Sequence, residues 1–129
     1  MKQVVDLPQL NQAFGQLGTP TSLLVKGGGL HYSCGIPPLD SLTGEIVQGT
    51  IEEQTEAVLK LMKVALEGAG SSLAKVVKTT VYITDNSHFA GVNAVYKKYF
   101  PDRFPARSFV AVTPWPLPFN IEIDCIATE

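Results

Sequence analysis

Short β-branched runs alternate along the chain with one long amphipathic stretch, and the period of each run predicts its element. Ser22 to Lys26 and Leu30 to Cys34 are apolar segments on either side of Gly27-Gly28-Gly29. They read as a hairpin whose turn takes positive φ at glycine. Gly35-Ile36-Pro37-Pro38 ends the second strand, and Leu39 to Glu45, rich in Asp, Ser, Thr and Gly, is turn chemistry on the surface. Ile51, Thr55, Val58, Met62, Ala65, Leu66 and Ala69 recur at helical spacing behind the capping box Thr50-Ile51-Glu52-Glu53. Gly68-Ala69-Gly70 closes that helix. Lys75 to Thr84 alternates as a strand, with Val77, Thr79, Val81 and Ile83 on one side. Asp85-Asn86-Ser87 caps a second helix, about His88 to Phe100, which Pro101 ends. Strands over Ser108 to Val112 and Asn120 to Ala127 finish the chain around the Pro-rich connection Thr113 to Pro118. Leu7 to Leu17 fits either a short helix or an extended arm.

The order strand, strand, helix, strand, helix, strand, strand predicts one α+β domain over residues 1–129 with both helices on one face of the sheet. Val76, Tyr82, Val110 and Ile126 fall on the face that the first apolar set does not use. A sheet apolar on both sides in so short a chain predicts burial against other subunits.

Composition narrows the partners. Ten Lys and Arg against 12 Asp and Glu leave a net charge of −2 with no basic block, which argues against nucleic acid and against an anionic membrane surface. No run approaches the roughly 18 apolar residues of a spanning helix. Met1 to Pro8 lacks the apolar stretch of a signal peptide, so a cytoplasmic protein is expected. Cys34, Cys125, His31 and His88 show no metal-ligand spacing; no metal is expected, and both thiols should be reduced.

Candidate chemistry centres on two residues. Arg107 enters the apolar strand Phe109-Val110-Ala111-Val112 just after the second helix stops. A permanently charged fork in that position either pairs with an acid on a neighbouring strand, Glu122 or Asp124, or waits for an acidic ligand. In Asn120 to Ala127, alternation puts Glu122, Asp124 and Ile126 on one side and Ile121, Ile123 and Cys125 on the other. Glu122 between two isoleucines is therefore either solvent-facing or functional. Gly27-Gly28-Gly29 is not a phosphate loop, since neither the Gly-Lys-Ser/Thr ending nor a following helix is present. Trp115 among prolines reads as a plug under a loop.

The segments Thr43-Gly44-Glu45, Val76 to Tyr82, Asn93-Ala94-Val95-Tyr96 and Pro105-Ala106-Arg107-Ser108 stand in one order along the chain. Together they resemble the RidA (YjgF-type) enamine/imine deaminases, from about Ser22 to Ala127. The resemblance implies a chorismate-mutase-like α+β fold, a homotrimer whose sheets close into a central barrel, and sites in the clefts between subunits. It implies hydrolysis of 2-aminoacrylate-like imino acids to 2-keto acids and ammonia, without a cofactor. Arg107 would anchor the substrate carboxylate, Glu122 would hold the attacking water, and Cys34, Gly35, Phe109 and Asn93 would line the substrate pocket. Asn93 and Tyr96 would also hold the helix and loop in place. Three positions depart from the family: Thr21 stands near its tyrosine, Cys34 replaces its serine, and Phe109 stands where a cysteine is common. The alternative is a non-catalytic trimeric module that binds small carboxylates through the same arginine.

Overall fold

The computed structural model describes residues 1–129. Strand β1 (Gln3–Val4) is followed by helix α1 (Pro8–Gly15), the hairpin β2 (Leu24–Gly27) and β3 (Leu30–Ser33), and helix α2 (Ile51–Gly68). Then come β4 (Val76–Ile83), helix α3 (Phe89–Tyr99), β5 (Ala106–Ala111) and β6 (Ile121–Thr128). The six strands form one sheet in the order β1-β2-β3-β6-β4-β5, antiparallel except for the parallel β4–β5 pair that α3 connects. The fold is α+β, with three helices rather than two: Leu7 to Leu17 resolves into α1, and Pro8 supplies its first turn.

Each element follows its local chemistry. The hairpin turns on Gly28 and Gly29, at φ +59° and +78°, where a side chain would be strained. The capping box forms in full: Thr50 Oγ1 accepts from Glu53 N at 3.1 Å, and Glu53 Oε1 accepts from Thr50 N at 3.2 Å. Val58, Leu59, Met62, Ala65 and Leu66 of α2 are fully buried against Val81, Ile83, Ile121 and Ile123 of the sheet and Val92 and Val95 of α3. Trp115 stacks tilted on the buried Phe119, with centroids 5.1 Å apart, as a plug does. No helix is long and apolar enough to cross a membrane.

Two expectations need correction. Val77 does not join Thr79, Val81 and Ile83 on the helix-covered face. A one-residue bulge sets Val76 opposite Ala127 and Lys78 opposite Ile126, so Val76 is buried and Val77 is 48% exposed. The face opposite the helices therefore carries Tyr32, Tyr82, Val110 and Ile126 but not Val76, and Tyr32 and Val110 remain exposed on it. The second correction concerns residues 39–45, which are not merely surface turn. Asp40 Oδ1 accepts from the amides of Leu42 and Thr43, but Leu39 is buried and Gly44 packs against α1. A Cβ on Gly44 would lie 2.5 Å from Ala13 O, and its φ is +77°. Gly44→Ala is thus expected to cost about 2–3 kcal/mol through backbone strain and the clash with α1. Urea denaturation checks it: the midpoint should fall while its slope stays unchanged.

Candidate active site

β5 is the edge strand beside β4, and Arg107 sits within it, opposite Thr79 on the helix-covered face. α3 crosses that face with Asn93 and Tyr96 one turn apart. Arg107 Nη1 donates to Asn93 Oδ1 at 2.8 Å. The guanidinium carbon lies 4.8 Å from the Tyr96 ring centroid and 5.0 Å from that of Phe109, so the charge is held between two π-faces. Both rings are themselves fixed. The Tyr96 hydroxyl meets Thr79 Oγ1 at 2.8 Å inside the core, and Phe109 takes Phe89 edge-on at 4.8 Å.

No carboxylate completes this arrangement. Glu122 and Asp124 belong to β6, two places from β5 in the sheet, and point to the opposite face. The internal ion pair that spacing allowed for Arg107 is absent, and only one of the five guanidinium N–H groups is engaged by Asn93. Beside it opens a cavity of about 260 Å³ lined by Asn93, Tyr96, Lys97, Phe104, Pro105 and Arg107. A half-buried cation that touches only neutral groups, shares its cavity with a second cation and keeps most of its donors free is suited to receive an anion. Lys97 and Phe104 join the cavity without being singled out by any motif of the sequence. The spacing of Asn93 and Lys97, four apart on one helix, was the available signal.

The second cluster lies on the other face. Glu122 stands opposite Tyr82, next to Asp124, whose Oδ2 accepts from the Tyr82 hydroxyl at 2.9 Å. Its carboxylate rests on the backbone of Gly35, and a Cβ there would run into Glu122 Oε1. Gly35 is thus required by close approach. Burial, and after it the negative charge of Asp124, raises the Glu122 carboxyl to about 7, the range of a base poised at neutral pH. Cys34 packs at the margin of the core, and burial, with Glu122 adding to it, pushes its thiol up to about 12. It is a neutral thiol, not a nucleophile.

The loop that sets Gly35 against Glu122 owes its path to a register break. Tyr32 pairs with Ile126, but the next contact joins Ile36 to Ile123, so β3 spends one residue more than β6. Ser33 fills the gap: its hydroxyl accepts from Cys125 N at 2.9 Å and donates to Cys34 O at 2.8 Å. Both hydrogen bonds of the Ser33 hydroxyl thus go to the backbone. Of the residues singled out from sequence, the structure joins Arg107, Asn93 and Phe109 in one cluster and Cys34, Gly35 and Glu122 in another. Within one chain the two clusters occupy opposite faces of the sheet. Thr21 is exposed and belongs to neither.

A family model described as Endoribonuclease L-PSP matches residues 12–129. The chain is 41% identical over 127 residues to Reactive Intermediate Deaminase A, chloroplastic, of Arabidopsis thaliana, covering 98% of this chain and 66% of the plant protein. It superposes on a crystal structure from Thermotoga maritima, described as that of a candidate endoribonuclease, with a TM-score of 0.88 and 46% identity over 100% of this chain and 98% of that one. It also resembles Escherichia coli TdcF, crystallised with bound serine, with a TM-score of 0.79 and 33% identity over 86% of this chain and 89% of that one.

Because burial is the larger cause of the raised Glu122 carboxyl and Asp124 the lesser, Asp124→Asn is expected to lower that pKa while leaving it above the ordinary carboxylate range. Carbon-detected NMR titration of the side-chain carboxyls reads this directly. A Glu122 resonance that does not move in the variant would remove Asp124 as a cause.

Proposed function

The chain belongs to the RidA family, whose model carries the description Endoribonuclease L-PSP, and from that footing we propose that it hydrolyses reactive enamine and imine intermediates of the 2-aminoacrylate kind to 2-keto acids and ammonia. The observation that carries this reading is the Arg107 guanidinium, immobilised by neutral partners and open to a carboxylate. A relative crystallised with serine, itself a 2-amino carboxylate, supports that choice of ligand.

The two clusters become one site when a second copy of the chain supplies the other half. β5 is an unpaired edge, and the face bearing Glu122 also exposes Tyr32 and Val110. A homotrimer that seats each such face against a neighbour's β5 edge would cover the apolar surface and bring the partner's Glu122 toward Arg107. Arg107 then binds the carboxylate bidentately, and backbone groups near Gly35 and Arg107 hold the imine nitrogen. Glu122 takes a proton from water as its oxygen adds to the imine carbon; the nitrogen is protonated, the C–N bond breaks, and ammonia leaves a 2-keto acid. Atoms balance with water in and ammonia out, and no electrons are transferred, so the step calls on no redox cofactor. Positioning by Arg107 lowers the entropic cost, and a base placed as Glu122 is contributes roughly 10²–10⁴-fold.

The test generates 2-aminoacrylate in situ and follows keto-acid release with and without the protein. Acceleration is expected; tight carboxylate binding without acceleration would select the binding module instead. Arg107→Lys should lose most of the acceleration, because a point charge cannot reproduce the planar fork, with circular dichroism unchanged. Glu122→Gln should lower kcat while sparing affinity for a carboxylate product.

The pH profile carries a sign. Glu122 is active as the ionised base and its pKa is raised to about 7, so the catalysed rate should rise through that pH and the rise should vanish in Glu122→Gln. Mixing Arg107→Ala chains with Glu122→Gln chains tests the shared site. If Arg107 and Glu122 come from different copies, random reassembly restores about a quarter of the sites. No recovery after verified reassembly would place both residues in one chain's site.

A further inference from the structure

We infer that Lys97 makes the Arg107 cavity selective for imino acids that carry a second carboxylate on their side chain, a dicarboxylic substrate class. This rests on the reading that the cavity binds 2-imino acids. The cavity of about 260 Å³ is lined by two cations, Lys97 and Arg107, one amide, Asn93, and the apolar or aromatic surfaces of Tyr96, Phe104 and Pro105. No acidic side chain of the same chain lines it, and the Glu122 that the proposed assembly brings in serves the attacking water. Arg107 spends one donor on Asn93 and none on a carboxylate, and Lys97 has no acidic partner either, since the one ion pair in the chain joins Lys26 to Glu129. Lys97 is exposed and keeps its ammonium free, so a monocarboxylate held by Arg107 leaves it without an acidic partner.

Position separates Lys97 from a generic surface lysine. Lys97 and Lys98 both stand in the last turn of α3, where the helix dipole favours cations equally. Only Lys97 follows Asn93 by one turn and lines the cavity, while Lys98 is rotated away. Asn93 stands between the roles of the two cations: it orients the Arg107 fork from one side and shares its helix face with Lys97. A substrate whose carboxylate sits on Arg107 has Phe104, Pro105 and Lys97 as the remaining wall of the cavity, within which a second carboxylate would meet Lys97. The ammonium is a compact donor on a flexible stem, suited to a second acid at variable distance.

Two imino acids of differing charge decide it. One is the monocarboxylic product of oxidising alanine, the other the dicarboxylic product of oxidising aspartate, each made in situ by an amino-acid oxidase while keto-acid release is followed. The unmodified protein should favour the dicarboxylic imine in kcat/KM. Lys97→Met, which keeps the apolar stem, should reduce the dicarboxylic-to-monocarboxylic ratio about tenfold, the contribution of one charge-assisted contact at a partly screened site. Lys98→Met removes the same net charge and should leave that ratio in place. A ratio that is unchanged in Lys97→Met, or that falls equally in both variants, overturns the inference.

Calorimetry with two stable keto acids, pyruvate and the dicarboxylic 2-oxoglutarate, which has no β-carboxylate to lose, separates this inference from the catalytic reading. If neither imine is turned over, the deaminase reading fails, and the inference still stands or falls on binding. Tighter binding of 2-oxoglutarate that depends on Lys97 and not on Lys98 supports it; equal binding of the two keto acids overturns it.

Discussion

A guanidinium without a counter-charge is the constraint around which this molecule is arranged. Arg107 is half-buried between the rings of Tyr96 and Phe109, with Asn93 Oδ1 accepting one of its protons, and each of those neighbours is fixed by something else. Tyr96 is pinned by Thr79 in the core, Phe109 by Phe89, and Asn93 by the helix that carries both it and Tyr96. The parallel β4–α3–β5 unit serves to hold this geometry: it sets Thr79 opposite Arg107 and lays α3 over both. Cation–π contact and one amide acceptor offset part of the desolvation of the charge but do not neutralise it. The residual demand for an anion is the chemical content of the site.

The other half of the chemistry is separated from it by the sheet itself. Period-2 geometry sends Glu122 to the face away from the helices, while parallel pairing with β4 turns Arg107 toward them. Burial first and the negative charge of Asp124 second raise the Glu122 carboxyl to about 7 even in one chain. The sheet thus holds a cation on one side and a carboxyl raised to about 7 on the other, and the proposed assembly joins them across copies. Exposed Tyr32 and Val110 on the Glu122 face are consistent with that division.

Both bulges act on this design. The one at Val77 keeps Thr79 facing the helices, where it meets Tyr96, while letting Val76 close the end of the core. The one at Ser33 to Gly35 bends β3 so that a glycine backbone lies against the Glu122 carboxylate, with the Ser33 hydroxyl replacing the lost ladder bond. Neither violates the local rules of strand formation. Each inserts one residue where strict pairing would have turned a functional side chain to the wrong face.

Periodicity, turn glycines and the Thr50 capping box made the elements legible in the sequence, because these depend on forces between residues close along the chain. The spacing around Arg107 and Glu122 left their roles open, and the resemblance to the RidA family named them as the two chemical groups. Tertiary structure decided the rest. It chose Asn93, Tyr96 and Phe109, not Glu122 or Asp124, as partners of Arg107, since strand order placed β6 between β3 and β4 and left β5 at the edge. It also moved Val77 out of the core, docked Gly44 on α1, and brought Lys97 and Phe104 to the cavity. Pairing register and the docking of helices are set by contacts between segments distant in sequence, and a one-residue bulge changes them without leaving a signature in the pattern of any single segment.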